Sequence, residues 1–383
     1  MSTLDHTTPR PDQHPHEHTP PHPSRPPEDH THMSATTDAG PTPDLDPRYA
    51  ARPASPLHRA VRLLGRWDGD VARLLILALL VLAIGVVAPS FLSQASWLAT
   101  SQSTTVIMLL AVGQAFVIVT GGIDLSVGAV LACSSMGAAV VMRDLYAAGS
   151  SPTQTIVVGF AVALALGGLF GLVNGLLITR LGIAPFIATL GMLGVGTGAT
   201  NLLSNGAEVV GLPPQLGTIG NVAHLGGWLT VPVLVTAVIT VVAGLALART
   251  RFGLRTYAIG SNPGAARRAG IGAQRHLLRI YVLSGLLASI AGILLMSRFV
   301  GASPLAGQNT ELASIAAAVI GGASLTGGRG TVLGAAIGAA ITGVLQIGLI
   351  LAGVESFWQT VVIGVIILLA VYADQTRSRV AAR

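Results

Sequence analysis

From residue 71 onward the chain alternates long apolar runs with short polar interruptions. The runs cover about 71–89, 101–120, 124–142, 154–178, 183–203, 228–248, 279–299, 311–326, 331–352 and 356–374. Most of them approach the roughly 20 apolar residues that carry a helix across the hydrocarbon core. The pattern therefore predicts an all-α polytopic membrane protein with about ten transmembrane helices. The 311–326 run is short and rich in Ala, Gly and Ser, and a short, glycine-interrupted span points to a pore-lining element. Before residue 57 the apolar pattern is absent.

That early stretch, 1–56, holds 13 of the 21 prolines and seven of the ten histidines. Such a composition buries no core, so it reads as a disordered cytosolic tail. It contains no apolar core of a signal peptide, and Met33 is an alternative start. His14, His16 and His18 offer a weak divalent-metal cluster, against the plainer reading of a solvated low-complexity tail. The remainder, 57–383, forms one transmembrane domain, with a cytosolic loop at 249–279.

Composition sharpens the picture. Mean hydropathy is +0.68 and 10% of residues are charged, against about a quarter in soluble domains. Cys133 is the one cysteine, which excludes an intrachain disulfide and reads as a small buried hydrophobe. All 22 basic residues are arginine. A phosphate-binding Walker A loop requires a lysine, so this chain is not itself a P-loop ATPase, and Schiff-base chemistry is excluded too. No cofactor and no metal site is expected.

The arginines also orient the chain. Arg59, Arg62, Arg66 and Trp67 suit the cytosolic membrane interface. With the N-terminus inside and the spans alternating, 16 of the 18 arginines beyond the tail fall on the cytosolic side, and Arg143 and Arg298 fall outside. This is the positive-inside asymmetry, with both termini cytosolic, and it accounts for the pI of 10.4 without a nucleic acid partner.

The most informative stretch is Thr120-Gly121-Gly122-Ile123-Asp124-Leu125-Ser126-Val127-Gly128. A glycine pair ends the preceding helix. Asp124 or Ser126 is positioned to cap the next one, where the helix dipole also favours an acid. Alone, Asp124 reads as an ordinary cap; the whole string also reads as a broken helix lining a transport path. Gly321-Gly322-Ala323-Ser324-Leu325-Thr326-Gly327-Gly328 echoes it without the acid, through internal repetition or chance. Gly171 and Gly175, Gly334 and Gly338, and the glycine-rich 191–198 stretch suit close helix packing. Gln114, Asn174 and Asn201 should face protein or water.

In the 249–279 loop, Asn262 and Pro263 open a short helix to about Ala269, and Gly270 ends it. With Ala265, Ala266, Arg267 and Arg268 it reads either as a docking element for a cytosolic partner or as a basic lipid anchor. The external loop at about 204–227 is the natural site for an outside partner.

From about 70 to 375 the chain resembles the permease subunits of ribose-, xylose- and galactose-type bacterial ABC importers. The resemblance is carried by Gly121–Gly128, by the run from Arg251 to Asn262 with Ala265, Ala266, Arg267, Gly270 and Ile271, and by 316–330. It implies a permease that imports a monosaccharide across the plasma membrane in partnership with a cytosolic ABC ATPase, an external sugar-binding protein and a second permease copy or paralogue. It further implies that 263–269 is the coupling helix, although the glutamate of the general docking pattern is missing. Gly121, Gly122, Asp124, Ser126 and Gly128 become gating or path residues in an alternating-access cycle. The competing readings are an ABC permease for a nucleoside, an autoinducer or a branched-chain amino acid, the last disfavoured by the resemblance at Gly121–Ser126, and an ion-coupled secondary transporter, for which Asp124 would be the coupling acid.

Overall fold

The computed structural model describes residues 69–355 except 225 and 226, with isolated positions between 358 and 372. The tail at 1–56 and the basic approach with Arg59, Arg62, Arg66 and Trp67 lie outside these residues, as do Arg377, Arg379 and Arg383. The helices are α1 (Gly69–Val87), α2 (Gln94–Val119), α3 (Val127–Ala147), α4 (Pro152–Thr179), α5 (Pro185–Ser204), α6 (Gln215–Asn221), α7 (Val231–Arg249), α8 (Arg251–Ser261), α9 (Pro263–Arg268), α10 (Ala273–Phe299), α11 (Thr310–Ile320) and α12 (Val332–Leu351). Their starts follow local rules. Ser93, Ser151 and Thr331 accept N–H bonds from Ser96, Gln154 and Gly334, and Pro152 and Pro185 stand where the helix needs no donor.

Eight of these helices, α1–α5, α7, α10 and α12, are long and apolar enough to cross a membrane. The expected span at 311–326 is instead the 11-residue α11 followed by a turn. At 1.5 Å per residue α11 is roughly 16 Å long, about half the hydrocarbon core. The glycines and small residues that shortened the apolar run also end the helix. In the expected last span, 356–374, the described positions are helical and the others lie outside the described residues.

Helices α2, α3 and α10 carry most of the core. Leu109, Phe116, Val130, Leu131, Tyr281 and Leu287 meet in one buried cluster. A second cluster, where α2 meets α11 and α12, is built mostly from alanines, among them Ala111, Ala115, Ala317, Ala335 and Ala339. Such small side chains bring backbones close. The glycine motifs act the same way. A Cβ on Gly171 would lie 2.4 Å from the Tyr281 carbonyl of α10, and one on Gly338 would lie 1.9 Å from the Ala317 carbonyl of α11. The 191–198 stretch departs from this expectation. Gly196 packs on Ala129, but Gly191, Gly194 and Gly198 face open space because α5 is peripheral in the single chain. Asn201 lies on the same helix, also exposed, with its Nδ2 donating to the Thr197 carbonyl at 2.9 Å. Gln114 and Asn174 are buried as anticipated.

Among its described residues, the 205–230 connection contains α6 and two antiparallel strands pairing Ala223 with Thr230 and His224 with Leu229. It folds onto the end of α10, where the Asn221 Nδ2 donates to the Arg298 carbonyl at 2.8 Å. Val209 and Ala302 exchange backbone bonds at 2.8 and 3.0 Å.

Candidate functional site

Helix α2 ends at Val119 in a glycine turn. The Gly122 N–H reaches back to the Val117 carbonyl at 3.1 Å, the Gly121 N–H to Ile118 at 2.8 Å, and Gly121 takes φ +83°. This is the 6→1 closure that a left-handed residue makes possible, and glycine adopts it without steric cost. The next helix, α3, begins at Val127.

The expected cap is arranged differently. Ser126 precedes α3 but makes no side-chain capping bond. The Asp124 carboxylate instead folds back on its own turn. Its Oδ1 accepts the Ser126 N–H at 3.0 Å and the Ser126 hydroxyl at 2.6 Å, and its Oδ2 accepts the Ser284 hydroxyl of α10 at 2.9 Å. A short Asx-type turn competes with the helical cap because both use the same carboxylate oxygens. Around this core, the Gln114 Nε2 of α2 donates to the Asp124 carbonyl, and the Asn174 Nδ2 of α4 donates to the Ser126 Oγ at 2.8 Å. The Thr189 hydroxyl of α5 lies 3.2 Å from the Ile123 carbonyl. Asp124 is 2% exposed and Ser126 0%, so in the single chain both sit inside the bundle. Every hydrogen-bond partner of Asp124 among the described residues is a neutral group.

Two buried atoms beside this network, Asn174 Oδ1 and Tyr281 Oη, have no hydrogen-bond partner among the described residues. The Tyr281 hydroxyl presses on Gly122, where a Cβ would come within 2.7 Å of it. Gly128, in the first turn of α3, faces the start of α11. A Cβ there would lie 2.3 Å from Glu311 Oε2 and 2.6 Å from the Gly307 carbonyl. Glu311 reads as a span end in the sequence, but the fold brings it to this site.

The echo at 321–328 is a second glycine turn, and it lies against the first. Gly322 takes φ +87°, and the Ala323 N–H closes on the Ala318 carbonyl at 3.0 Å. The left-handed glycine is thus the second of its pair here and the first at Gly121, a one-residue shift from the sequence echo. Ser324 and Thr326 pair through their hydroxyls at 3.0 Å, in the places that Asp124 and Ser126 hold in the first turn. The Gly328 N–H donates to the Val119 carbonyl at 2.8 Å.

The residues of the 249–279 loop form their own unit. Thr250 caps α8, accepting from the Phe252 and Gly253 N–H groups. α8 buries Gly253, Thr256 and Ile259 and exposes Arg251, Leu254 and Arg255. Its inner face is fastened to the bundle. The Phe252 ring packs between Phe116 and His276, and the Thr256 hydroxyl shares a 2.9 Å hydrogen bond with His276 Nε2. The short helix appears as anticipated. Asn262 Oδ1 accepts the Ala265 N–H at 2.9 Å, Pro263 opens α9, and Gly270 closes it at φ +76° with the Ile271 N–H on the Ala266 carbonyl at 3.0 Å. Ala266 is the buried residue of α9; Pro263, Ala265, Arg267 and Arg268 are exposed. The 249–279 segment contains seven arginines and no acid, so its exposed face suits an acidic partner surface. The fold does not bring Gly121–Gly128 and Asn262–Gly270 into one site; it connects them through α8.

A family model described as branched-chain amino acid transport system / permease component matches residues 96–371. The chain is 42% identical over 317 residues to the ribose import permease protein RbsC of Bacillus subtilis (strain 168), covering 82% of this chain and 95% of that protein. It is 37% identical over 320 residues to the ribose import permease protein RbsC of Escherichia coli (strain K12), covering 81% and 95%. To the fructose import permease protein FrcC of Rhizobium meliloti it is 36% identical over 321 residues, covering 81% and 86%. No solved structure matches it significantly.

Proposed function

The chain belongs to the permease family described for branched-chain amino acid transport systems, and we propose that within it this protein is the membrane permease subunit of an ATP-driven importer of a monosaccharide of the ribose type. The carrying observation is its 42% identity to a ribose import permease over 95% of that protein's length. The family description names amino acids, but the relatives compared above are named for ribose and fructose. A permease subunit is not itself an enzyme. ATP hydrolysis is the work of a separate ATPase subunit, and a substrate-binding protein delivers the sugar.

Within this reading α9 is the coupling helix. Its exposed Arg267 and Arg268 project from an N-capped, glycine-terminated turn, a small rigid element suited to a groove on the ATPase. The arginine asymmetry supports cytosolic termini, and the apolar run beyond Leu351 supports a further span in the plasma membrane. The path forms between this chain and a second permease subunit. The open glycine face of α5 supports that arrangement, since small residues permit close approach of a partner helix. The network around Asp124 and Ser126 holds the first helix break in one shape and shifts as the path alternates between inward and outward access.

The test is ATP hydrolysis by the permease reconstituted with its ATPase and binding protein, with ribose, xylose, galactose or no sugar. Stimulation by one sugar, dependent on the binding protein, is the expected result. Uptake without any associating ATPase, abolished when the proton gradient is dissipated, would replace this reading with an ion-coupled transporter. Arg267→Glu combined with Arg268→Glu is expected to weaken ATPase association about tenfold or more through charge reversal, measured by co-purification.

A further inference from the structure

Between the coupling helix and the helix breaks stands one contact made without side chains. A Cβ on Gly260, in the last turn of α8, would lie 1.7 Å from the Val119 carbonyl and 2.7 Å from the Gly328 nitrogen. The same Val119 carbonyl accepts the Gly328 N–H at 2.8 Å. A Cβ on Gly327 would lie 2.9 Å from the Gly260 carbonyl and 3.0 Å from the Gly121 nitrogen. The end of α2, the end of α8 and the second glycine turn therefore meet backbone to backbone. Beside this junction the Tyr257 hydroxyl of α8 donates to the Gly330 carbonyl at 2.6 Å. Burial raises the Tyr257 pKa above its usual value, so the phenol keeps its donor proton. Only Ser261 and Asn262 separate Gly260 from the first residue of α9.

Long side chains at a contact absorb small displacements by changing rotamer, whereas a close-packed backbone contact passes them on. We propose that Gly260, Gly327 and Gly328, with Tyr257, are positioning residues of the transport cycle: they join α8 to both helix breaks so that α9 and the two breaks move as one body. The proposal rests on α9 being the ATPase-docking element. It explains why glycine occupies three facing positions from distant parts of the chain, and why the acid-free second turn is glycine-rich well beyond the needs of its own helix end.

The test uses the reconstituted permease with its ATPase and binding protein, measuring sugar imported per ATP hydrolysed. Gly260→Ala, which wedges the joint, should lower sugar imported per ATP about tenfold in complexes that still co-purify. An unchanged ratio would overturn the proposal. If Gly260→Ala does not assemble, Tyr257→Phe retains the packing and removes one tie, and should lower the ratio about twofold to threefold; no change in that variant counts against the proposal. A wild-type complex that shows no sugar-dependent hydrolysis would instead refute the importer reading.

Discussion

At 119–127 the chain leaves α2, turns on Gly121 and passes its acid to donors from its own turn and from α10, with α2 and α4 bonded alongside. At 320–331 it leaves α11, turns on Gly322 and carries no acid; its ties run to the end of α2 and to α8. The two turns use the same backbone closure for the same reason, a glycine pair after a buried apolar helix. They differ in what holds them in place. The first is set by side-chain hydrogen bonds in the middle of the bundle, where an unmade bond is costly. The second is set mainly by close backbone contacts, with the Tyr257 hydroxyl on the Gly330 carbonyl and the Ser324–Thr326 hydroxyl pair beside them. One turn is therefore tuned by chemistry and the other by shape, and their substitutions should respond differently.

The largest effect is expected at the acid. Asp124→Ala strands the Ser126 and Ser284 donors inside the bundle and should destabilise the protein by roughly 2–5 kcal/mol, since each buried group left unpaired costs about 1–3 kcal/mol. Asp124→Asn keeps an acceptor oxygen and should lose less than half as much. Thermal unfolding of the purified permease measures both. Equal losses would show that the negative charge, not the acceptor, holds the turn.

The next effect concerns shape within the first turn. Gly122→Ala drives a methyl into the Tyr281 hydroxyl and should cost about 1–3 kcal/mol. Because that hydroxyl has no hydrogen-bond partner among the described residues, Tyr281→Phe should be nearly neutral alone and should recover about 1 kcal/mol or more in the double variant. Strict additivity in this cycle would mean that the clash lies elsewhere.

Smaller effects are expected at the two left-handed glycines. Gly121→Ala should cost about 1–2 kcal/mol for a Cβ at positive φ, and Gly322→Ala at least as much, because its Cβ would also lie 2.0 Å from the Arg73 guanidinium. A melting shift for Gly121→Ala well below that for Gly322→Ala would assign the difference to Arg73 and not to the shared closure. The smallest effect belongs to the counterpart of Asp124. Ser324→Ala removes the hydroxyl paired with Thr326 and should cost about 1 kcal/mol or less. A loss as large as that of Asp124→Ala would erase the distinction between the two turns.

Much of the architecture was legible in advance because its causes are local. The apolar runs located the long helices, and the Gly121-Gly122 pair located the end of α2. Asn262, Pro263 and Gly270 marked α9 by capping rules that operate over a few residues. The span expected at 311–326 stops at Ile320, because small residues keep hydropathy high beyond the point at which the helix ends. The capping role given to Asp124 and Ser126 was incomplete, because a carboxylate at a turn can satisfy the turn instead of the helix. Gln114 and Asn174 were visible as polar groups within apolar runs. Ser284, Thr189 and Glu311 carried no such signal, since a serine or threonine within a span commonly bonds its own helix.

The amino-acid sequence alone determined that the protein is helical, rich in membrane-spanning apolar runs, not itself a P-loop ATPase, and broken at Gly121-Gly122. Hydropathy, helix termination and the absence of lysine need no knowledge of neighbours. Only the tertiary structure decided that the two breaks touch, that Asp124 is held by a serine 160 residues away, and that Gly260 links α8 to both turns. Those contacts depend on which helices lie side by side. In a bundle where many glycines and serines could serve, only the packed fold selects the ones that meet.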